Sequence, residues 1–555
     1  MSVPTLLTRV PSDVARGGGT LRLYGPGDID HLDPAACHAS TGELVRLFSR
    51  QFVTYEPQQD LRNWQAGAPV PDLAVEVPST YNMGLGASQR SYVLHLRPEV
   101  LWDTTPVRPV TAHDFVRGFK RMGNPVMRSP VLTYFTSTIR GMSDFCAGFD
   151  AAVPRTNATA EHVAAYQNAH EIPGVFALDD ETLVIEVVRP TLDFVHMLAL
   201  PCASAAPAEY DAYVPGSLEL RLNLRSNGPY RVAYYVPGKE LTLEQNPAWR
   251  RESDPVRRLY VAHIEITVEK TSPGEIDAKI DAGEADLGWG SPSARRRLDP
   301  QTPVSYALDP YLVFNVARGS RALSDVRVRR AIAAVIDKAA LADVCRRTAD
   351  VDVRVAGSII PPNNDAHDDL ICADVPDPER ARALLAEAGY ADGLTLIAGY
   401  RERDTEPDVA RSYAADLEQV GIAVRLVRLD DDAAEWDVMA RSWSADWTNL
   451  NGRVFLQSLF ETGGSANDGG YSSPVVDELI RRALEAAVEQ PEKANAAWRD
   501  VERRVLDEVV VVPLLFRAPA VPRRRSDRVR NAFPVPAYGY AYDIATLWLD
   551  ATEEE

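Results

Sequence analysis

The chain has 555 residues, of which 45% are hydrophobic and 25% charged, and it carries a formal net charge of −20. At roughly 150 residues per unit, that length gives two large lobes or about three to four units, with enough core to need no disulfide or metal staple. The acidic balance disfavours nucleic acid, whose phosphates require a basic footprint; it fits a solvated surface, and it would also steer cationic ligands inward.

Met1 to Gly19 shows no apolar h-region and no cleavage site, and no cysteine precedes Cys37. As written, the chain is expected in the cytoplasm, or outside the cell or on its surface if a leader is missing from this sequence. No stretch approaches the roughly 18 apolar residues of a membrane span. The five cysteines, Cys37, Cys146, Cys202, Cys345 and Cys372, are odd in number and contain no C-x-x-C pair. They form neither a disulfide framework nor a zinc site and read as small buried apolar residues, with a single Cys345 to Cys372 bridge left open.

In chain order, Thr20 to Tyr24 alternates as a strand and ends in the turn Gly25-Pro26-Gly27, and Thr41 to Phe52 has helix spacing. Ser91 to Arg97 alternates again. Thr111 is placed to cap a helix running to about Met122, with Asp114 in its first turn. Residues 123 to 170 are mixed, helical with loops. Thr182 to Val188 is a strand, Asn227-Gly228-Pro229-Tyr230 is a turn into a strand, and Gly238 joins the hairpin Tyr230–Val236 and Glu240–Leu243. Glu275 to Asp281 is a short helix before an Ala285–Leu287 strand.

After Tyr311, strands and helices alternate as in a parallel or mixed sheet. Leu312–Asn315 is a strand and Val326–Cys345 a single long helix. Helix Pro378–Ala388 stops at Gly389. Strand Leu394–Ala398, helix Val409–Val420 ending at Gly421, and strand Ile422–Val427 follow. Val475–Ala487 and Ala494–Leu506 are helices, and Val509 to Phe516 is a buried strand. No internal repeat or low-complexity segment is found.

No catalytic, metal or cofactor motif emerges. The nine histidines are scattered, and His95 and His113 read as structural or solvated. There is no nucleophile elbow and no phosphate loop. Asp430-Asp431-Asp432 lacks the spaced ligands of a calcium loop and reads as a solvated turn.

Several segments, in order, resemble the extracellular solute-binding proteins of family 5, the oligopeptide-, dipeptide- and nickel-binding components of bacterial ABC importers. They are Gly18-Gly19-Thr20-Leu21-Arg22 with Leu32-Asp33-Pro34, then Pro71-Asp72-Leu73-Ala74 leading to Tyr92–Val100. Thr105-Pro106 with Thr111-Ala112-His113-Asp114-Phe115 comes next, then Ser226 to Tyr230 with Asn246-Pro247. Ala282 to Asp286 and Phe314-Asn315 precede the strongest match, Asp325 to Ile332. Ser442 to Trp447 and Tyr471 to Asp477 complete the series. Two departures stand out: Thr104 replaces the family's usual Gly, and WTNLNG replaces its YxDP after Ala445-Asp446.

The resemblance implies an α/β fold of the periplasmic-binding-protein type, with two lobes, a hinge and an extra subdomain. Lobe one would comprise residues 17–55, 190–308 and 515–555, the subdomain 56–189, and lobe two 309–514. It implies a non-enzymatic monomer that holds a peptide or an arginine-like cationic ligand for an ABC permease. A cytoplasmic relative repurposed for antibiotic biosynthesis or ligand sensing is the alternative. Asp446 would take the ligand's α-ammonium, since a buried charge needs a partner. Trp443, Trp447 and Trp289 would form walls. Leu32, Asn227 and Gly228 would border the cleft, and Arg441 would meet a ligand carboxylate.

Overall fold

Alternating leucines build the first sheet. In Thr20–Gly25 (TLRLYG), Leu21 and Leu23 point to one face and are at most 2% exposed. The strand is parallel to His263–Val268 on one side and to Leu287–Gly288 on the other. Glu240–Gln245 and Tyr230–Val236 extend the sheet antiparallel, giving five strands. The first strand thus finds its partners more than 200 residues later in the chain. The computed structural model describes residues 17–26, 29, 32–37, 39–290, 298, 304–349, 352–368, 375–401, 405–429, 435–448 and 451–550.

A three-stranded antiparallel sheet, with Thr182–Glu186 between Ser91–His95 and Val175–Ala177, lies in the sequence between the parts of the first. Helix Ala112–Met122 packs on it. Its start follows the expected cap: the Asp114 carboxylate accepts the Thr111 N–H at 3.0 Å and also the Trp102 Nε1–H.

The third sheet has seven strands and is mixed. Leu394–Tyr400 runs parallel to Ile422–Arg428 and Val438–Trp443, and Val438–Trp443 is antiparallel to Ala307–Phe314. Val511–Pro513 and Leu515–Arg517 both pair with Ala307–Phe314, and Val353–Val355 lies beyond. Because Leu515–Arg517 belongs to this sheet, the chain leaves it after Arg517 rather than at 514.

Three elements differ from the sequence reading. Val326–Cys345 is two helices, Val326–Val335 and Lys338–Ala349. Ile336 is extended, the Asp337 N–H is held by the Asp416 carboxylate at 3.0 Å, and Asp337 Oδ1 caps Ala340 N–H at 2.9 Å. The acidic residue read as helix interior is a break and a cap. The helix expected over Thr41–Phe52 is Ala39–Val45, with turns beyond it. Val509 to Phe516 is two short strands with different registers rather than one.

Cys37, Cys146, Cys202 and Cys345 are buried, and among the described residues none is in a disulfide; Cys372 and Asp430-Asp431-Asp432 lie outside the described residues. Among the described residues no helix is long and apolar enough to cross a membrane, and no group of three His, Cys, Asp or Glu side chains is placed to hold a metal.

Candidate functional site

Val438–Trp443 is an interior strand, paired on both sides. It ends at Trp443, so residues 444–448 leave the sheet at a strand's carboxyl end, where open α/β sheets place ligands. The Trp443 indole is fixed by its Nε1–H, which donates to the Val454 carbonyl at 2.6 Å. That carbonyl belongs to helix Arg453–Phe460, which follows the loop.

Asp446 is 8% exposed. Its Oδ2 accepts the Tyr134 hydroxyl at 2.9 Å, from helix Leu132–Thr136, 312 residues earlier. Among the described residues no cation is within ion-pair distance of it. Burial pushes its carboxyl up to about 7, against the smaller opposing pull of the Tyr134 hydrogen bond. Trp447, 1% exposed, meets the Tyr134 ring edge-on with centroids 4.8 Å apart. Among the described residues its Nε1–H has no acceptor. A buried carboxylate without a counter-charge thus adjoins a residue carrying a buried donor without a mate. Both are costly unless a bound molecule satisfies them.

The seam at which residues 133–138 and 193 meet residues 446–465 is crossed by other polar contacts. Arg453 NH1 pairs with Asp193 at 2.7 Å, both side chains being at most 6% exposed. Arg453 NH2 donates to Thr138 Oγ1 at 2.9 Å, and the guanidinium lies 5.4 Å from the Tyr134 ring centroid. Gln457 Nε2 donates to Ser137 Oγ at 2.9 Å, and the Ser465 N–H to Thr133 Oγ1 at 2.7 Å. Tyr134, Arg453 and Asp193 are absent from the sequence reading. Residues 123 to 170 are helical with loops, as expected, but nothing in them singles out Tyr134, and the Arg453–Asp193 partnership spans 260 residues without a local signal.

The remaining expected residues sit elsewhere. Leu32 and Trp289 are buried in the core of the first sheet, and the Trp289 N–H bonds the Tyr24 carbonyl at 2.9 Å. Asn227 and Gly228 pin the Leu47–Arg50 segment to that sheet. Asn227 Oδ1 accepts the Arg50 N–H at 2.8 Å, and a Cβ on Gly228 would lie 2.4 Å from the Leu47 carbonyl oxygen. Arg441 is paired with Asp468 at 2.5 Å. The structure therefore brings Asp446, Trp447 and Trp443 together, and joins Tyr134 to them from across the seam.

The model of the bacterial extracellular solute-binding proteins, family 5 Middle, matches residues 68–467. The periplasmic oligopeptide-binding protein OppA of Salmonella typhimurium is 26% identical over 459 residues, covering 77% of this chain and 76% of its own. Among solved structures, the clavulanic acid biosynthesis oligopeptide binding protein 2 superposes with a TM-score of 0.71 at 26% identity, over 97% of this chain and 96% of that one. Listeria monocytogenes OppA bound to peptide gives a TM-score of 0.73 at 19% identity, over 96% and 99%, a likeness of fold.

Proposed function

The chain belongs to the bacterial extracellular solute-binding proteins of family 5, and from that premise we propose that it captures a peptide by its free amino terminus between two lobes. The lobes are residues 17–55, 190–308 and those after Arg517, decorated by 56–189, against 309–517. Asp446 carries this reading: a buried carboxylate that, among the described residues, has one neutral hydrogen-bond donor and no cation to meet its charge. An α-ammonium supplies the missing charge. The Trp447 Nε1–H, free of an acceptor, would donate to a peptide carbonyl, as strand-like recognition requires. Tyr134 arrives from the opposite lobe, so the site is complete only when the lobes meet, which ligand binding then favours.

The relatives are named as binding proteins, which supports capture rather than catalysis. In this reading the chain acts as a monomer at the cell surface and hands its ligand to an ABC-type permease. The similarity to the clavulanic acid biosynthesis oligopeptide binding protein 2 favours a second setting, in secondary metabolism; a single arginine-like molecule is the cationic ligand we propose for it. Calorimetry with tri-alanine and with free arginine separates the two. For either ligand, Asp446→Ala is expected to weaken binding by about 2–5 kcal/mol, the range for a buried charge that loses its partner. Unchanged affinity removes Asp446 from the site.

A further inference from the structure

Helix Arg453–Phe460 stops where Glu461 is extended, and the chain then reverses through Gly463 and Gly464. A Cβ on Gly464 would lie 2.5 Å from the Ser458 carbonyl oxygen and 2.9 Å from that of Glu461, so the chain can fold back this closely only with glycine there. The Gly464 N–H donates to the Glu461 carbonyl at 2.8 Å, and the Ala466 N–H to the Ser458 carbonyl at 3.1 Å. This turn, tied to its own helix on either side of Ser465, presents Ser465 to the segment Pro130–Thr133 across the seam.

The Ser465 hydroxyl is fully engaged there. It donates to the Pro130 carbonyl, and it accepts the Thr133 hydroxyl at 2.9 Å and the Thr133 N–H at 3.2 Å. The Ser465 N–H in turn donates to Thr133 Oγ1 at 2.7 Å. Thr133 is 7% exposed, so its groups have little recourse to water. It is the second residue of helix Leu132–Thr136 and adjoins Tyr134. That helix has five residues, too few to hold together alone, and its N-cap, Val131, makes no side-chain hydrogen bond. The first amides of a helix need acceptors from outside it. For Thr133 the acceptor is Ser465, 332 residues later in the chain. The far end of the same helix is gripped from the same side, by Gln457 at Ser137 and by Arg453 at Thr138. Between the two grips the Tyr134 hydroxyl meets Asp446 at 2.9 Å.

We propose that Ser465 is a positioning residue for the Asp446 site: it completes, from lobe two, the first turn of the helix that carries Tyr134, and so sets the Tyr134 hydroxyl against Asp446. The inference rests on the proposed peptide-binding function and deepens it. The Ser465 hydroxyl is committed to Pro130 and Thr133, so it acts on the ligand through Tyr134. When the lobes part, Thr133 loses its acceptor, the short helix loosens, and Tyr134 is no longer held for capture of an amino terminus.

A double-mutant cycle, read by calorimetry with tri-alanine, tests it. Ser465→Ala keeps the turn and removes the contacts of the hydroxyl, and it is expected to weaken binding about tenfold, the net cost of losing a few neutral hydrogen bonds. In a Tyr134→Phe chain the same substitution is expected to cost less than about threefold, because the hydroxyl that Ser465 positions is gone. A contact that only held the lobes together would cost the same in both chains. Thermal unfolding checks that each variant is folded. Where one is not, hydrogen exchange of the unaltered chain decides: tri-alanine should slow exchange across residues 130–136. Ser465→Ala that binds within threefold of the unaltered chain, a loss as large with Tyr134→Phe as without it, or exchange unchanged by tri-alanine overturns the role of Ser465 and leaves Asp446 standing. Failure of the unaltered chain to bind tri-alanine overturns both.

Discussion

Asp193→Asn separates closure of the seam from contact with the ligand. The substitution keeps the shape of Asp193 and an acceptor but removes the charge that faces Arg453 at 2.7 Å. Arg453 retains Thr138, Gln457 and the Tyr134 carbonyl and ring, all neutral. Glu461 reaches it more weakly, beyond the intervening Gln457. Breaking a buried pair costs about 3–5 kcal/mol, and the retained hydrogen bonds place this case at about 3 kcal/mol. The penalty falls on the form in which the lobes meet, because opening returns Arg453 to water. Affinity for a ligand that needs that form then drops by up to about 150-fold, at 1.4 kcal/mol per decade. Calorimetry with tri-alanine reads the affinity, and thermal unfolding checks that the variant is folded. A folded variant that binds within twofold of the unaltered chain refutes the reasoning.

Acidity should act on stability and binding in opposite directions. Asp446, Glu43 and Glu502 are raised to about 7, about 8 and about 7, above their unfolded values, so the folded chain without ligand holds protons that the unfolded chain releases. Lowering the pH from 8.5 to 7.5 should therefore raise its Tm; this window stays above the unfolded histidine's titration near 6.5, through which His196, held low by burial, reverses the sign. A falling Tm contradicts the assignment. From pH 7 down to about 5.5, where the peptide α-amine stays protonated, affinity for tri-alanine should fall, since a proton competes with the α-ammonium at Asp446, and a flat profile by calorimetry argues against that contact. Gly228→Ala drives a Cβ to 2.4 Å from the Leu47 carbonyl oxygen and should destabilise the chain by about 1–3 kcal/mol in denaturant unfolding. Wild-type stability there would mean the turn is not pinned.

The regular parts of the fold were legible because their signals are local. The alternation in Thr20–Gly25 and the Thr111–Asp114 cap both translate directly into structure. Local signals misled where a polar residue serves a distant partner. Asp337 looks like helix interior until Asp416 draws its N–H away and splits the helix. The Ser442–Trp447 motif singled out Asp446 and its flanking tryptophans, but a motif on one lobe carries no information about what meets it. Tyr134 lies in a stretch read only as helices with loops, and its role depends on a contact 312 residues away. Leu32, Asn227 and Gly228 match family motifs, and the structure ties them to the sheet core.

The most direct test of amino-terminal capture is paired calorimetry of tri-alanine and N-acetyl-tri-alanine with the unaltered chain. Acetylation removes the one charge that Asp446 lacks and changes little else. The expected result is binding of the free peptide and at least about 30-fold weaker binding of the acetylated one, the lower end of what an unpartnered buried charge costs. Equal affinity for the two, or no binding of either, contradicts the account.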